Sequence, residues 1–297
     1  MIRHEILPKR NLIQEVRRQR PLVHCITNYV TAGDVANMIL AVGASPVMAD
    51  GLREVEDITR LSRALVLNIG TLREPVVESM LVAGKLAAQL GHPVIFDPVG
   101  AGASAFRTET ALRILKEVPL TVIRGNASEI RTLAGYLAEH GQHVGERKPA
   151  HIQVHSCGVD ADEREKVTED NRESTFATLR FLSRETKAVI VMTGETDLIA
   201  KNEQVCAVKN GHSMMARITG TGCMLDGILA ALMAVSSSEE RFGAAVYAAA
   251  AHGICGEAAY ARVAAEHGGT GSFRAYFMDA FSKLDDGQVQ KEVRYEV

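Results

Sequence analysis

Short apolar runs rich in β-branched residues alternate along the chain with longer stretches in which apolar residues recur at helical spacing. This alternation predicts an α/β fold, with a mainly parallel central sheet flanked by helices on both faces. Strands buried on both faces are expected to be nearly all apolar. The clearest runs of this kind lie at 64–69, 93–96, 120–123 and 188–192.

Each of these predicted strands ends in polar or glycine-bearing residues, at 68–71, 97–100, 124–126 and 193–195. Open α/β sheets bind their ligands outside the carboxyl ends of the strands. These four segments therefore predict the rim of one binding site.

The pattern changes after residue 194, where two shorter runs at 197–201 and 204–209 flank the turn-like pair Asn202 and Glu203. This spacing predicts a β-hairpin at the edge of the sheet. Helical periodicity then dominates, first at 224–235 and next at 240–263. The second of these helices is rich in alanine, which would allow close approach to a neighbouring helix.

The segment at about 138–172 is polar, charged and weakly periodic, and it is predicted to be a surface excursion. It contains several potential metal ligands: His140, His143, His151, His155 and Cys157. Because they lack a defined ligand spacing, solvated loop residues are the preferred interpretation, with a metal site as the alternative.

Composition indicates an ordinary soluble globular protein, with 46% hydrophobic and 23% charged residues. No Pro/Ser-rich linker divides the 297 residues, so one domain over 1–297 is expected.

The net charge of −3 comes from mixed acidic and basic residues and leaves no basic stripe for nucleic acid. The absence of a leader or a long apolar stretch favours a cytoplasmic protein that does not enter membranes. Five scattered cysteines without a CxxC pair indicate reduced thiols.

The strongest local motif is the glycine turn Gly220-Thr221-Gly222-Cys223, which precedes an apolar helical pattern. Glycines let the backbone approach a ligand, and the first N–H groups of a helix point outward at its positive dipole end. The turn therefore predicts an anion hole suited to a phosphoryl group. The alternative is a tight loop that only enters a packed helix, and no Walker lysine follows the turn.

Two further motifs follow predicted strands. Asn126 and Glu129 have the spacing of a capping box, which explains those two residues but not Arg124 at the strand end. An arginine at that place could hold a phosphate bidentately. Asp97 precedes a glycine-rich loop and can either help to hold Mg²⁺ through water or cap the following turn.

Taken in order, these motifs closely resemble the hydroxyethylthiazole kinases of the ribokinase-like superfamily, enzymes of thiamine biosynthesis and salvage. The resemblance runs from about residue 18 to 284. The matching segments are PLVHCITNYV at 21–30, GASPVM at 43–48, FDPVG at 96–100, RGNASE at 124–129, TGE at 193–195, TGTGC at 219–223 and GSF at 271–273.

The resemblance implies transfer of the ATP γ-phosphate to the hydroxyl of 4-methyl-5-(2-hydroxyethyl)thiazole. By matching motif positions, Asn28, Met48 and Gly220 are expected to face the thiazole. Arg124 and Thr193 are expected to contact ATP, and a separate pair, Asp97 and Glu129, to organise Mg²⁺ and water around the phosphates. Family members are trimers with sites between subunits, so a homotrimer is implied in which residues near Asn28 and Met48 serve a neighbour's site.

Cys223 occupies the position where many ribokinase-like sugar kinases carry an aspartate base, and the thiazole kinases resemble this chain in having cysteine there. Its place at a helix N-terminus beside an anion hole favours a catalytic role, whereas a small buried apolar residue is the alternative. The loose transition state of phosphoryl transfer demands little from a base. We therefore expect Cys223 to assist catalysis without being indispensable.

The excursion at 138–172 departs from the family in its length, although a Gly-Val-Asp element at 158–160 lies within it.

Three other functions remain open. A related kinase would phosphorylate another small heteroaromatic alcohol, such as a hydroxymethylpyrimidine. The same scaffold could also serve a nucleotide-dependent lyase or repair enzyme, or a binding protein that has lost catalysis. The presence of Asp97, Arg124 and Glu129 argues against a passive binder, which would not need metal-organising carboxylates.

Overall fold

The computed structural model describes residues 6–140 and 168–297. The central part of the predicted excursion, with His143, His151, His155 and Cys157, lies outside the described residues. The described strands are β1 (Leu22–Ile26), β2 (Ser45–Met48), β3 (Ala64–Asn68), β4 (Val94–Asp97), β5 (Val122–Asn126), β6 (Val189–Thr193), β7 (Asp197–Lys201), β8 (Gln204–Val208) and β9 (Tyr295–Glu296).

The described helices are α1 (Leu12–Gln19), α2 (Ala32–Val42), α3 (Val55–Leu61), α4 (Glu74–Gln89), α5 (Ala105–Glu117), α6 (Ala127–His140), α7 (Glu169–Thr186), α8 (Thr221–Met233), α9 (Arg241–Ala265), α10 (Thr270–Lys283) and α11 (Asp286–Glu292). A 3-10 turn at Ser213–Arg217 precedes α8.

One sheet contains all nine of these strands, in the order β2-β1-β3-β4-β5-β6-β7-β8-β9. The pairs from β2 through β6 are parallel, and those from β6 through β9 are antiparallel. The mainly parallel sheet and its edge hairpin, β7 and β8, are therefore confirmed. The short strand β9 extends the sheet beyond the hairpin. The four clearest predicted strands correspond to β3 to β6, each shifted by no more than a few residues.

Side chains that alternate along each strand feed two cores, one on each face of the sheet. In β3, for example, Ala64 and Val66 belong to one core, and Leu65 and Leu67 belong to the other. The first core packs against α1, α2 and α8 to α11, and the second packs against α3 to α7. Helices therefore cover both faces, as the buried apolar strands required.

The last helices agree with the pattern that predicts them. The alanine-rich stretch lies in α9, where the residues from Ala244 to Ala251 are all buried. The four cysteines within the described residues are free thiols, in line with the prediction of reduced cysteines. Across the described ranges, no helix is both long and apolar enough to cross a membrane.

Candidate active site

The carboxyl ends of the parallel strands meet at one edge of the sheet, as predicted. Asn68 and Asp97 are the last residues of β3 and β4 and lie opposite each other in register. Arg124 lies within β5, next to Val191 of β6, and Thr193 ends β6. The start of α8 is brought to the same edge, because Cys223 lies in hydrogen-bond range of Asn68.

Two glycines of the turn before α8 are required by their surroundings. Gly220 has φ +88°, and a Cβ there would lie 2.7 Å from Cγ2 of Thr31. A Cβ on Gly222 would lie 2.7 Å from Nη1 of Arg124. Any larger residue would therefore be strained at Gly220 and would displace the guanidinium at Gly222.

The turn leaves the first N–H groups of α8 available. The helical hydrogen bonds begin with the Met224 N–H, which donates to the Gly220 carbonyl at 2.8 Å. The N–H groups of Thr221, Gly222 and Cys223 consequently have no partner within the helix. Together with the helix dipole, these groups have the arrangement that the predicted anion hole requires.

His252 supports this turn from α9. Its Nε2 lies 2.9 Å from the Thr221 carbonyl oxygen, and burial lowers the pKa of His252 to about 4. The imidazole is therefore neutral at pH 7, and its Nε2–H donates to the carbonyl.

One half of the site is uncharged and consists of Asn28, Asn68 and Cys223, here named the amide cluster. Nδ2 of Asn28 donates to Oδ1 of Asn68 at 3.0 Å. Both amides also donate to the sulfur of Cys223, from Asn28 at 3.4 Å and from Asn68 at 3.3 Å. Oδ1 of Asn28 accepts from the N–H and hydroxyl of Thr31, both at 3.0 Å, which fixes the orientation of this amide.

The other half is charged and consists of Asp97, Arg124 and Asp226, here named the charged cluster. Nε and Nη2 of Arg124 donate to the two carboxylate oxygens of Asp226 at 2.8 and 2.9 Å. Nη2 also donates to Oδ2 of Asp97, which accepts in addition from Asn68 of the amide cluster. All three members of the charged cluster are buried. The bidentate geometry expected of Arg124 toward a phosphate is thus formed with Asp226.

Asp97 has an unusual environment for a carboxylate. Burial raises its pKa well above the ordinary value, nearby Arg124 opposes this shift, and Asp226 adds to it. Its second oxygen, Oδ1, is buried and has no hydrogen-bond partner among the described residues. A buried carboxylate oxygen without a partner is costly unless a ligand or water completes it.

Glu129 confirms the predicted capping box. Its N–H donates to Oδ1 of Asn126 at 2.9 Å, and its Oε2 accepts from the Asn126 N–H at 2.8 Å. Its other oxygen accepts from the Gly100 N–H at 2.8 Å, so Glu129 also anchors the glycine-rich loop that follows Asp97. Burial raises the pKa of Glu129, and the Gly100 hydrogen bond opposes the shift.

Thr193 and the turn after it lie beside β5. The Thr193 hydroxyl donates to the Gly125 carbonyl at 3.3 Å. Asp197, at the start of β7, accepts from the Gly194 N–H at 3.0 Å and so closes this turn. Burial raises the pKa of Asp197 to about 7.

Met48 lies further out, at the end of the edge strand β2 and opposite Cys25 of β1. Its side chain is 39% exposed, whereas Asn28 is buried. Within one chain, therefore, Asn28 and Met48, two of the three residues expected to face the thiazole, occupy very different environments.

The structure adds detail at two residues: Asn68, which the sequence places only in the strand-end rim at 68–71, and Asp226, to which it assigns no role. Asn68 is a polar residue at the tip of a buried strand, the same signal that singles out Asp97. Asp226 is a carboxylate inside the otherwise apolar segment 224–229, and it lies one helical turn after Cys223. An acidic residue in an apolar helix indicates a buried partner, but the sequence does not say which one.

Comparisons with known proteins identify the family of the chain. The model of the hydroxyethylthiazole kinase family matches residues 13–287. The hydroxyethylthiazole kinase of Desulfovibrio desulfuricans is 48% identical over 282 residues, which cover 93% of each chain. A solved structure of a hydroxyethylthiazole kinase protein from Pyrococcus horikoshii has a TM-score of 0.77 and 32% identity, with 96% of both chains covered. A ribokinase-like superfamily protein from Enterococcus faecalis, at 13% identity and a TM-score of 0.53, shows the shared fold alone.

Proposed function

The chain belongs to the hydroxyethylthiazole kinase family, and on that premise we propose that its strand-end site transfers the γ-phosphoryl group of ATP to 4-methyl-5-(2-hydroxyethyl)thiazole. The products are the thiazole phosphate and ADP, for thiamine biosynthesis or salvage. One observation carries the assignment of the site. The glycine turn at 220–223, here named the anion turn, lies before α8. It contacts Arg124 through Gly222 and the amide cluster through Cys223. A phosphoryl donor and a neutral acceptor can therefore meet at the same helix N-terminus.

The amide cluster is proposed as the acceptor side. Its two carboxamides are neutral donors and acceptors with fixed orientation, which suits an uncharged heteroaromatic alcohol better than a charged substrate. Asn28 and Gly220 would line this side within the subunit. Met48 would contribute from the exposed end of β2.

The phosphate side is proposed to comprise Arg124, Thr193 and the N–H groups of Thr221, Gly222 and Cys223. Phosphoryl transfer depends mainly on positioning and on stabilising charge at the transferred group. The helix N-terminus and the guanidinium supply positive charge there, and Thr193 lies at the end of the neighbouring strand.

The residues around Asp97 fit a divalent cation. The orphaned Oδ1 of Asp97 is an oxygen ligand without a partner, and carboxylate oxygens and waters are what Mg²⁺ prefers. Both oxygens of Glu129 already accept backbone N–H groups, so Glu129 would act through water and by holding the loop that follows Asp97. A bound Mg²⁺ would neutralise the charge of the ATP phosphates.

An alternative cation position among Asp97, Cys223 and Asp226 fits less well. One ligand atom from each of these residues lies within 4.8 Å of the others. The guanidinium of Arg124 nevertheless binds both carboxylates, so a cation there would compete with a fixed positive charge.

Cys223 is proposed to accept the substrate hydroxyl proton as a thiolate, after its own thiol proton has passed to Oδ2 of Asp97, which lies 4.0 Å from the sulfur. Its sulfur accepts two amide N–H groups, so the acceptor hydroxyl must take the place of at least one of them to reach it. Because phosphoryl transfer needs little base catalysis, this role assists turnover without governing it.

A homotrimer with sites between subunits is also proposed. Exposed apolar side chains lie at the end of β2 and in the residues that follow β1 and β2: Tyr29, Val30, Met48 and Leu52. Contiguous exposed apolar residues at a sheet edge are typical of an interface between subunits. A neighbouring copy that covers them would bring Met48 into an apolar setting beside an active site. We also propose one kinase domain across the chain and a cytoplasmic location, where ATP and reduced thiols are available.

A coupled assay of ADP release tests the reaction. ADP production that depends on the thiazole alcohol, and is much slower with a hydroxymethylpyrimidine, is the expected result. The opposite preference would make the chain a kinase of the other alcohol. Binding of ATP and thiazole without ADP release would indicate a protein that has lost catalysis.

The proposed trimer is tested separately, by measuring the molar mass of the protein in solution by light scattering.

A further inference from the structure

Arg124 is held by a partner that the sequence leaves unassigned. Asp226 binds two nitrogens on one edge of the guanidinium, Nε and Nη2, through both of its carboxylate oxygens. Such a two-point ion pair fixes the plane and direction of the guanidinium, whereas a single contact would leave it free to rotate. The side-chain exposures are 7% for Arg124 and 0% for Asp226, so water competes little for these bonds.

The remaining nitrogen of Arg124 points to the anion turn. Nη1 is the nearest atom to the place where a Cβ on Gly222 would lie, at 2.7 Å. No hydrogen bond involves Nη1 among the described residues. With one edge occupied by Asp226, Nη1 of Arg124 lies beside Gly222, in the turn whose first N–H groups have no partner within α8.

The charges of the cluster also require a second acid. Arg124 contacts Asp97 as well as Asp226, and Asp97 is the carboxylate with the unpartnered oxygen. If Asp97 were the only carboxylate near Arg124, the buried guanidinium would form its ion pair with both oxygens of Asp97, and neither oxygen would be available to a ligand. Asp226 supplies an independent counter-charge, which leaves Asp97 only partly engaged.

We infer that Asp226 is the positioning residue of Arg124: its bidentate ion pair aims Nη1 at the anion turn, where the transferred phosphate lies. The inference rests on the proposed role of Arg124 toward ATP. Asp226 itself touches neither substrate in this arrangement. It acts through the orientation and charge of the guanidinium.

The first test compares Asp226→Asn with a matched buried aspartate. Asparagine keeps the size of the side chain but turns an NH₂ toward Nη2 and removes the counter-charge. Asp226→Asn is expected to lower kcat/KM for ATP by about ten- to hundredfold, with a smaller change in KM for the thiazole alcohol. Asp286→Asn, at a buried aspartate that caps α1 through the N–H groups of Ile13 and Gln14, is expected to lower stability but to leave both KM values near wild type.

A second measurement separates positioning from general damage. Arg124→Lys keeps the positive charge but cannot form the two-point contact, so Asp226→Asn should add little to it, and the double variant should be about as active as Arg124→Lys. Affinity for a nonhydrolysable ATP analogue, measured by calorimetry, should show the same lack of additivity. Thermal unfolding would verify that each variant is folded.

Chemical rescue gives the sharpest result. In Arg124→Ala, guanidinium chloride well below its denaturing range should occupy the gap beside Asp226 and restore part of the ATP turnover. The double variant Arg124→Ala with Asp226→Asn should show no such recovery. Equal rescue in both would overturn the positioning role of Asp226.

The outcomes distinguish this inference from the function on which it rests. If Arg124→Lys loses ATP turnover while Asp226→Asn behaves like Asp286→Asn, Arg124 keeps its proposed role and the inference about Asp226 is wrong. If folded Arg124→Lys keeps wild-type kinetics, the proposed role of Arg124 fails, and the inference fails with it.

Discussion

The amide cluster and the charged cluster lie side by side at one edge of the sheet, yet one consists of uncharged side chains and the other of buried charged ones. The hydrogen bonds that Asn28, Asn68 and Cys223 make with one another join uncharged groups. Asp97, Arg124 and Asp226 place three charges in contact where water is nearly excluded. Asn68 joins the two, because its Nδ2 also donates to Asp97.

This difference matches the two reactants of a small-alcohol kinase. A neutral network recognises an uncharged alcohol by shape and hydrogen bonding, and it imposes no large desolvation cost on its own residues. The polyanionic nucleotide needs fixed positive charge together with carboxylates for its cation, so the charged cluster must balance several charges before any ligand arrives. We therefore expect substitutions in the charged cluster to cost more activity than those in the amide cluster.

Asp97→Ala should have the largest effect. It removes the carboxylate proposed for Mg²⁺, and we expect kcat to fall by about 10³-fold or more. The fold should survive, because Arg124 keeps Asp226 as its buried partner. Steady-state kinetics together with thermal unfolding would check both statements, and a folded variant with more than a tenth of wild-type turnover would contradict them.

Asn68→Ala tests the link between the clusters. The substitution removes a donor to Asp97, a donor to Cys223 and the acceptor of Asn28, so we expect kcat to fall by about ten- to hundredfold. Asn210→Ala is the matched control. That buried asparagine pairs with Glu292 and Arg294 near β9, and its loss should affect stability alone. Equal kinetics for the two variants would show that Asn68 has no functional role.

Cys223→Ala and Cys223→Ser should lower kcat by about tenfold, less than Asp97→Ala does, and should keep measurable turnover. Cys223 belongs to the amide cluster, where its sulfur already accepts two N–H groups. Cys255→Ala, in the buried part of α9, serves as the control for removal of a thiol. Complete loss of turnover in Cys223→Ala with ATP binding intact would reverse the expected order of the two clusters.

Asp197→Asn should have the smallest effect on turnover, and its main effect should depend on pH. In the folded chain the pKa of Asp197 is raised to about 7 by burial, against an ordinary value of 3.8. The folded state therefore holds this proton more tightly, and wild-type stability decreases as pH rises through that window. Asparagine still accepts from the Gly194 N–H but does not ionise. The melting temperature of the variant should therefore rise relative to that of wild type between about pH 4 and about pH 7 and the difference should level off above that, and a difference that is constant with pH would refute the shifted pKa.

Much of the fold followed from local pattern. Strands β3 to β6 are apolar runs buried on both faces, and the hairpin of β7 and β8 follows from two short runs around Asn202. The capping box of Asn126 and Glu129 depends only on residues three apart, so its spacing was sufficient to predict it. Strands β1 and β2 are less distinct as runs, since β1 contains His24 and β2 contains Pro46. Their pairing depends on neighbours far along the chain.

The site was predicted in part. The sequence, with its family resemblance, selected Asn28, Asp97, Arg124 and the glycine turn, and the structure brings all of them to one edge of the sheet. Met48 instead lies at the exposed end of the edge strand β2. The contacts of Asn68 and Asp226 could not be assigned from sequence, because both residues lie far along the chain from their partners. Asn68 lies 155 positions from Cys223, and Asp226 lies 102 positions from Arg124.

The sequence by itself determined the α/β layering, the strand-end location of the site and the glycine turn, because each depends on residues close together in the chain or on the period of burial. Only the tertiary structure decided how the charges at that edge are shared. Gly222 makes room for a guanidinium that arrives from β5, and Asp226 meets that guanidinium from α8. The direction of Arg124 is set by packing between distant elements, and no local pattern encodes it.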